Sequence, residues 1–307
     1  MGKENKVKAS TIVVTHNRAS ILIHCIEKLL KQSIRDYEVI VIDDGSTDST
    51  QDLMKKIKDK HFRYFRNEEK KGQPHARNRG IKNSKGDIII FVDSDVLVDK
   101  NFIRDHINLH KRKDSLIVQG MVRHIRKIKD YAKVNWMIDG FCLSGLITQN
   151  VSVKKKHLLQ AGGFDESFGD TMGYMDVEIG RRLKNKLALK TIYAFRSCLA
   201  WHFDGDETDD KIKSIINKSF ERGKNAVRFS RKFGKCVAAR HVKKSYVDFI
   251  IKAFGTEQWV EKKGLKYLVS HKNGFSYPFL KWIIKYHYRG KGIREALREI
   301  RSTTEVK

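Results

Sequence analysis

Two β-branched runs, each closing on paired carboxylates, restrict the fold of this chain more than any other feature. Tyr37-Glu38-Val39-Ile40-Val41-Ile42 ends in Asp43-Asp44-Gly45-Ser46, and Ile88-Ile89-Ile90-Phe91-Val92 ends in Asp93-Ser94-Asp95. A short, continuous apolar run bounded by turn residues suits a strand buried on both faces of a parallel sheet. Carboxylates at the C-terminal ends of two such strands collect on one sheet edge, where open α/β sheets bind their ligands. Without compensation they repel one another. A cation or a hydrogen-bonding ligand is therefore expected among them.

Strand and helix signals alternate around these runs. Residues 10–15 read as a strand and 21–32 as an amphipathic helix, with Ile21, Leu22, Cys25, Ile26, Leu29 and Leu30 on one face. A Ser/Thr/Asp turn caps a helix over 50–58, residues 62–66 form a short strand, and 72–86 hold a loop and a helix. This alternation predicts an α/β fold with a mostly parallel central sheet covered on both faces. Beyond Asn101 the pattern loosens: helix 101–110, strand 116–123, an extended stretch 143–153, helix 154–161, a break at Gly162-Gly163, helix 176–187 and strand 191–195. From about Asp206 the chain is basic and largely helical. The expected division is a catalytic domain over 1–205 and a basic, mainly helical C-terminal extension over 206–307.

The formal net charge of +27 over 307 residues calls for an anionic partner: nucleic acid, nucleotide phosphates or a membrane surface. The last third carries 25 Lys/Arg against 11 Asp/Glu, which places more than half of the excess there. Cys25, Cys142, Cys198 and Cys236 show no CxxC pairing or metal spacing, and three of them sit in apolar stretches, as buried reduced thiols do. Residues 1–8 lack the apolar core of a signal peptide, and no run reaches the roughly 18 apolar residues that span a bilayer. The expected location is cytoplasmic, peripheral to the inner face of the membrane at most.

Further motifs follow in order. Val14-Thr15-His16-Asn17-Arg18 closes the first strand, and Gly72 and Ala76-Arg77-Asn78-Arg79-Gly80 precede the strand that carries Asp93-Ser94-Asp95. Then come Gly162-Gly163-Phe164-Asp165-Glu166, Gly173-Tyr174-Met175-Asp176-Val177-Glu178 and Trp201-His202. In this order and spacing, residues 9 to 205 resemble the GT-A-fold glycosyltransferases of family 2, which are inverting enzymes that carry a DXD motif and act on nucleotide sugars. The resemblance implies that Thr15, Asn17, Arg18 and Asp44 hold the nucleobase side of a UDP-sugar, and that Arg77, Asp93 and Ser94 flank the nucleotide. It implies that Asp95 and His202 bind Mn²⁺ or Mg²⁺, that Asp176 is the general base, and that Gly163 and Glu178 meet the acceptor, a glycan or a lipid-linked glycan. Arg222 stands, more loosely, where relatives place a basic residue near the diphosphate.

The residue types suit that chemistry. Departure of a nucleoside diphosphate from an anomeric carbon needs negative charge stabilised on the leaving phosphate, which a divalent ion provides. A single carboxylate on the opposite face accepts the hydroxyl proton and leads to inversion. One departure stands out: Met175 replaces the glutamate that relatives often carry before the catalytic aspartate, and methionine is a weak acceptor. Other readings remain for single residues. His202 also suits a packed core histidine, Arg77 a neutraliser of edge carboxylates, and Glu178 an exposed helix acid. The acids at 204, 206, 207, 209 and 210 lack the calcium-loop pattern and read as a solvated loop. The basic, aromatic stretch 277–298 suits either an anionic membrane surface or packing onto the catalytic domain. Nucleic-acid binding leaves the strand-end carboxylates unexplained, a nucleotidyltransferase has no use for the segment 163–178, and an inactive sugar-binding domain would not need both Asp95 and Asp176.

Overall fold

A computed structural model of the chain describes residues 6–131, 146–169, 173–205, 209–233, 260–261 and 277–304. The chain divides into two compact units, residues 1–170 with 175–205, and residues 171–174 with 206–307.

The first unit is built on a seven-stranded sheet. Its strands are β1 (Ala9–Thr15), β2 (Tyr37–Asp43), β3 (Phe62–Arg66), β4 (Ile88–Asp93), β6 (Leu116–Gly120), β8 (Asn150–Lys154) and β9 (Lys190–Ala194), in the spatial order β3-β2-β1-β4-β8-β6-β9. All pairings are parallel except those of β8, which runs antiparallel to both neighbours. The helices are α1 (Ala19–Leu30), α2 (Thr50–Lys56), α3 (Gln73–Asn83), α4 (Phe102–Arg112), α5 (Lys155–Gln160) and α6 (Met175–Leu187). Alternate strand residues go to opposite cores. Val13, Val39, Val41, Ile90 and Val92 join Leu22, Ile26, Phe102 and Ile103 on one face. Ile12, Ile40, Ile42, Ile89 and Phe91 join Ala76, Leu158, Ile179 and Leu183 on the other. Two covered faces are why these strands are apolar without alternation.

A second sheet of three strands, in the order β5-β10-β7, comprises β5 (Val96–Val98), β7 (Val122–Ile125) and β10 (Ala200–Phe203). The single strand expected over 116–123 is in fact two. The chain leaves the large sheet at Gly120 and enters the small one at Val122. The side chain of Asn150 holds this break: its amide donates to the carbonyls of Met121 (2.9 Å) and Cys198 (2.8 Å). A side chain at Gly120 would collide with that amide. In the expected extended stretch 143–153, residues 143–145 lie outside the described residues, and the strand begins at Asn150. Cys25 and Cys198 are buried free thiols, while Cys142 and Cys236 lie outside the described residues.

In the second unit, α7 (Asp209–Phe233) packs against α8 (Tyr277–Thr304). Their backbones touch where Gly223 faces Arg289 and Gly292 faces Phe220, and Val227, Ile293 and Ala296 pack together. Tyr174 stacks at a tilt on Phe229, and Asn225 donates to the carbonyl of Gly173 (3.1 Å).

Behind Asn150 runs a buried polar chain. His110 Nε2 donates to Ser152 Oγ (2.9 Å), the Ser152 hydroxyl donates to His106 Nδ1 (2.8 Å), and His106 Nε2 donates to Asn150 Oδ1 (3.0 Å). Burial pushes His106 down to about 3 and His110 down to about 4, so both are neutral in the folded protein. The unfolded chain takes up these protons near pH 6.5. Their folded values lie lower, so stability is full above that pH and declines as pH falls from 6.5 toward 4, by up to about 1.4 kcal/mol per pH unit for each histidine. Calorimetry between pH 7 and pH 4.5 should record a falling Tm, with a shallower fall in His110→Gln.

Candidate active site

Three parallel strands bring the motif residues to one edge. Thr15 lies opposite Asp43, and Val14 opposite Asp93. The turn after β1 is locked to the turn after β2: Asp44 N donates to Thr15 O (2.9 Å), Asn17 N to Ser46 Oγ (2.9 Å) and Thr47 N to Asn17 Oδ1 (2.7 Å). Asn17 adopts a positive φ of 52°, which asparagine tolerates better than most residues. Thr15 is buried. Asp43 accepts from Ser46 N and from the Tyr64 hydroxyl. Asp44 is buried and accepts from Asn67 Nδ2 (2.7 Å), Lys71 N (3.0 Å) and Gly72 N (2.8 Å). Its carboxylate thus clamps the 67–72 loop, which leads into α3.

Asp93, Ser94 and Asp95 follow β4, with Ser94 and Asp95 buried. The small sheet then fixes what faces Asp95. In its register His202 lies opposite Val96 on one side and His124 on the other, and Phe203 N donates to Asp95 O (2.8 Å). His202 Nε2 comes to 3.4 Å from Asp95 Oδ1, and Arg18 Nη1 pairs with Asp95 Oδ2. Burial works against charge on both partners, but hydrogen bonds and opposite charge prevail: Asp95 is held below the usual carboxylate range and His202 is raised to about 10. Asp93 moves the other way, pushed up by burial against the pull of Arg77 and by the charges of Asp95 and Asp176. His202 thus stands between two carboxylates, those of Asp95 and Asp204. A carboxylate beside an imidazole, both turned to the sheet edge, is a donor set that fits a divalent ion such as Mn²⁺ or Mg²⁺.

Asp176 opens α6 and meets Arg77 from α3. Arg77 is buried; its guanidinium donates to Thr148 Oγ1 (2.7 Å) and lies 3.4 Å from Asp176 Oδ1 and 3.7 Å from Asp93 Oδ1. The Thr148 hydroxyl donates to Asp176 Oδ2 (3.0 Å). Arg77 therefore bridges the carboxylate at the end of β4 and the one at the start of α6. Met175 is buried with its sulfur 3.0 Å from the guanidinium.

Two expected site residues differ in kind. Gly163 has a positive φ of 69°, and any Cβ there would meet Asn78 Oδ1 at 2.6 Å, so the turn requires glycine. Glu178, expected at the acceptor or exposed on the helix, is neither. It is fully buried, and Arg182 donates to both its oxygens, from Nε (2.7 Å) and Nη2 (2.6 Å). Arg182 also donates to the carbonyls of Ala161 and Gly163 (2.7 Å for the latter), so the pair braces the glycine turn. Asp204, read as part of a solvated loop, accepts from His202 Nδ1 (3.0 Å) and His124 Nδ1 (3.0 Å to Oδ2). Asp206 and Glu207 lie outside the described residues. Arg222 lies on α7 and packs against Gly173 within the second unit. Thr148, His124 and Asp204 are additions that motif order alone did not reveal.

An edge of parallel strands bearing a D-x-D turn, with an aspartate at the start of a following helix, defines a GT-A glycosyltransferase fold. The chain belongs to glycosyl transferase family 2, whose pattern matches residues 10–176. Among curated relatives, it is 35% identical over 113 residues to glycosyltransferase GlyG of Streptococcus pneumoniae, covering 36% of this chain and 38% of that one. It is 33% identical over 124 residues to the poly(ribitol-phosphate) beta-glucosyltransferase of Bacillus spizizenii, covering 39% and 20%. The matched stretch thus spans less than two-fifths of the length of these relatives. Among solved structures, a mannosyltransferase from Pyrobaculum calidifontis in complex with GDP-Man and Mn²⁺ superposes with a TM-score of 0.62 at 15% identity, over 94% of this chain and 87% of that one. Residues 1–349 of S. aureus TarS in complex with UDP-GlcNAc give 0.56 at 15% identity, over 95% and 92%. These likenesses establish the fold.

Removing one member of a buried ion pair strands the other, at a cost of about 3–5 kcal/mol, whereas replacing both with apolar residues is far milder. Urea unfolding of Arg182→Met should show a loss of that order, and the double variant with Glu178→Leu should recover much of it.

Proposed function

We propose that this chain is an inverting, metal-dependent glycosyltransferase that moves a sugar from a UDP-sugar to a hydroxyl of a glycan or lipid-linked acceptor, with its chemistry in residues 1–205 and the 206–307 unit as an accessory. The observation that carries this reading is the line of groups at the sheet edge: Asp95 beside His202, then Asp93, Arg77 and Asp176. Asp95 and His202 would hold Mn²⁺ or Mg²⁺, and the ion would supply positive charge to the departing diphosphate. A Mn²⁺ complex of the Pyrobaculum mannosyltransferase and a UDP-GlcNAc complex of TarS, both of the same fold, support a divalent ion and a UDP-sugar.

The chain's own residues do the rest. Thr15, Asn17, Arg18 and Asp44 frame the nucleobase side, with Asp44 setting the 67–72 loop as its wall. Asp93 and Ser94 face the ribose and diphosphate. Asp176 takes the proton of the acceptor hydroxyl, and Thr148 and Arg77 hold its carboxylate in place. General-base assistance is worth about 10²–10⁴ in rate. The glycine turn at Gly162-Gly163, braced by Arg182, forms part of the acceptor side. Met175, buried against Arg77, stands where a glutamate would bind acceptor hydroxyls, and it leaves Asp176 in place as the base. Among the described residues no helix is long and apolar enough to cross a membrane. Exposed Phe279 and Trp282, stacked on α8 beside basic residues, support peripheral contact with an anionic membrane from the cytoplasmic side.

Thermal unfolding with UDP, GDP, CDP or ADP, each with Mn²⁺ or EDTA, tests the donor site. Ligand at about 100 times its Kd stabilises by ~2.7 kcal/mol. The expected result is a rise in Tm with UDP that needs Mn²⁺ and is absent in Asp95→Ala. No rise with any nucleotide, alongside a rise with DNA or RNA, overturns the enzyme reading. Asp176→Asn should keep the UDP-dependent rise and lose about 10²–10⁴ in kcat. A product anomer of retained configuration would sink the inverting mechanism. Failure to co-sediment with anionic vesicles at low salt would remove the membrane contact.

A further inference from the structure

His202 sits between two carboxylates, and the small sheet determines which of its nitrogens faces which. Along β10, Trp201 turns inward, buried with Leu97 and Ile125 and edge-on to Tyr131 at 4.8 Å. Side chains alternate across a strand, so His202 turns to the opposite face. There its Nε2 lies 3.4 Å from Asp95 Oδ1, and its Nδ1 lies 3.0 Å from Asp204 Oδ1. Asp204 is itself fixed twice. Its backbone N donates to Ile125 O (2.9 Å), and its carboxylate accepts from His124 Nδ1 (3.0 Å to Oδ2). His124 is the registered partner of His202 on β7, with the two rings 5.1 Å apart.

An imidazole binds a metal through a nitrogen that carries no proton, and its other N–H needs an acceptor that fixes tautomer and ring angle. We propose that Asp204, steadied by His124, is the positioning residue of the metal site: it takes the Nδ1–H of His202 and so presents Nε2 toward Asp95. The inference rests on the reading of Asp95 and His202 as metal ligands and adds a second layer to it. The arrangement Asp95–His202–Asp204–His124 crosses the three-stranded sheet from end to end, which explains why a histidine stands at position 124. Among the described residues, His124, His202 and Asp204 are also a group whose ligand atoms lie within 4.8 Å of one another. The orientation of His202 separates the two uses of that group. With Nδ1 directed at Asp204, the nitrogen left for an ion is the one beside Asp95.

The test is Mn²⁺ binding to the whole chain, read from the electron paramagnetic resonance of free Mn²⁺ with and without UDP. The variants are Asp204→Ala, Asp204→Asn, His124→Gln, His202→Ala and Asp95→Ala, with circular dichroism as the check on folding. Loss of a carboxylate behind a ligating histidine typically costs 10–100-fold in metal affinity. Asp204→Ala should weaken Mn²⁺ by that factor, and His124→Gln by less. Asp204→Asn, whose amide oxygen still accepts from Nδ1–H, should recover part of the loss. With a UDP-sugar and saturating Mn²⁺, Asp204→Ala should regain most of its kcat, as the defect lies in holding the ion. Wild-type Mn²⁺ affinity in a folded Asp204→Ala, with affinity lost in His202→Ala, overturns the positioning role while leaving the metal site standing. Binding that survives Asp95→Ala but not His124→Gln also overturns it, because the ion would then sit in the His124, His202 and Asp204 group. Unaltered binding in both Asp95→Ala and His202→Ala removes the underlying metal reading.

Discussion

Negative charge gathered at one edge of the sheet is the constraint to which the rest of the first unit answers. Strand ends, a helix start and the last turn of the small sheet deliver Asp93, Asp95, Asp176 and Asp204 to neighbouring positions. Four carboxylates gathered at one edge without compensation would force the edge apart or take up protons. The chain supplies Arg18 to Asp95, Arg77 to Asp93 and Asp176, and His202 to Asp95 and Asp204. At Asp93 burial and the charges of Asp95 and Asp176 push the carboxyl above the usual range, against the pull of Arg77.

The geometry of that edge also depends on a buried hydrogen-bond network behind it. Asn150 and Ser152 sit on the one antiparallel strand of the large sheet, and the buried histidines His106 and His110 complete their hydrogen bonds. The amide of Asn150 then holds the point where the chain passes from the large sheet to the small one. The small sheet places His202, so the position of that imidazole traces back to a fully buried asparagine. The hydrogen bonds among His106, Ser152 and Asn150 fix the orientation of the Asn150 side chain, and its amide specifies one connection between the two sheets.

Much of this was legible in the sequence, for identifiable reasons. Strands buried on both faces announce themselves as unbroken β-branched runs, so β1, β2 and β4 and the carboxylates at their ends could be placed without a structure. The strands β5 and β10 could not. The first is three residues long and begins directly after Asp95, and the second, Ala-Trp-His-Phe, carries no distinguishing period. Thr148 was hidden because a single hydroxyl has no periodic signature, and its role exists only once the turn before β8 meets the start of α6. Glu178 could have been read correctly. Its spacing of four from Arg182 is that of a helical ion pair, and both lie on the face that also carries Ile179 and Leu183 into the core. Asp204 reads as the first of a solvated acidic cluster because four acids follow it within six residues, whereas its backbone bond to Ile125 and its ion pairs with His124 and His202 attach it to the small sheet.

The backbone contact between α7 and α8 has a consequence of its own. Where Gly223 meets Arg289 and Gly292 meets Phe220, the seam between the helices has no room for a single methyl group. The crossing point is therefore written twice, in stretches of chain far apart in the sequence, and a side chain added at either place acts as the same wedge. Any side chain larger than hydrogen at either glycine would push the two backbones apart, so this close crossing of α7 and α8 is possible only with glycine on both helices.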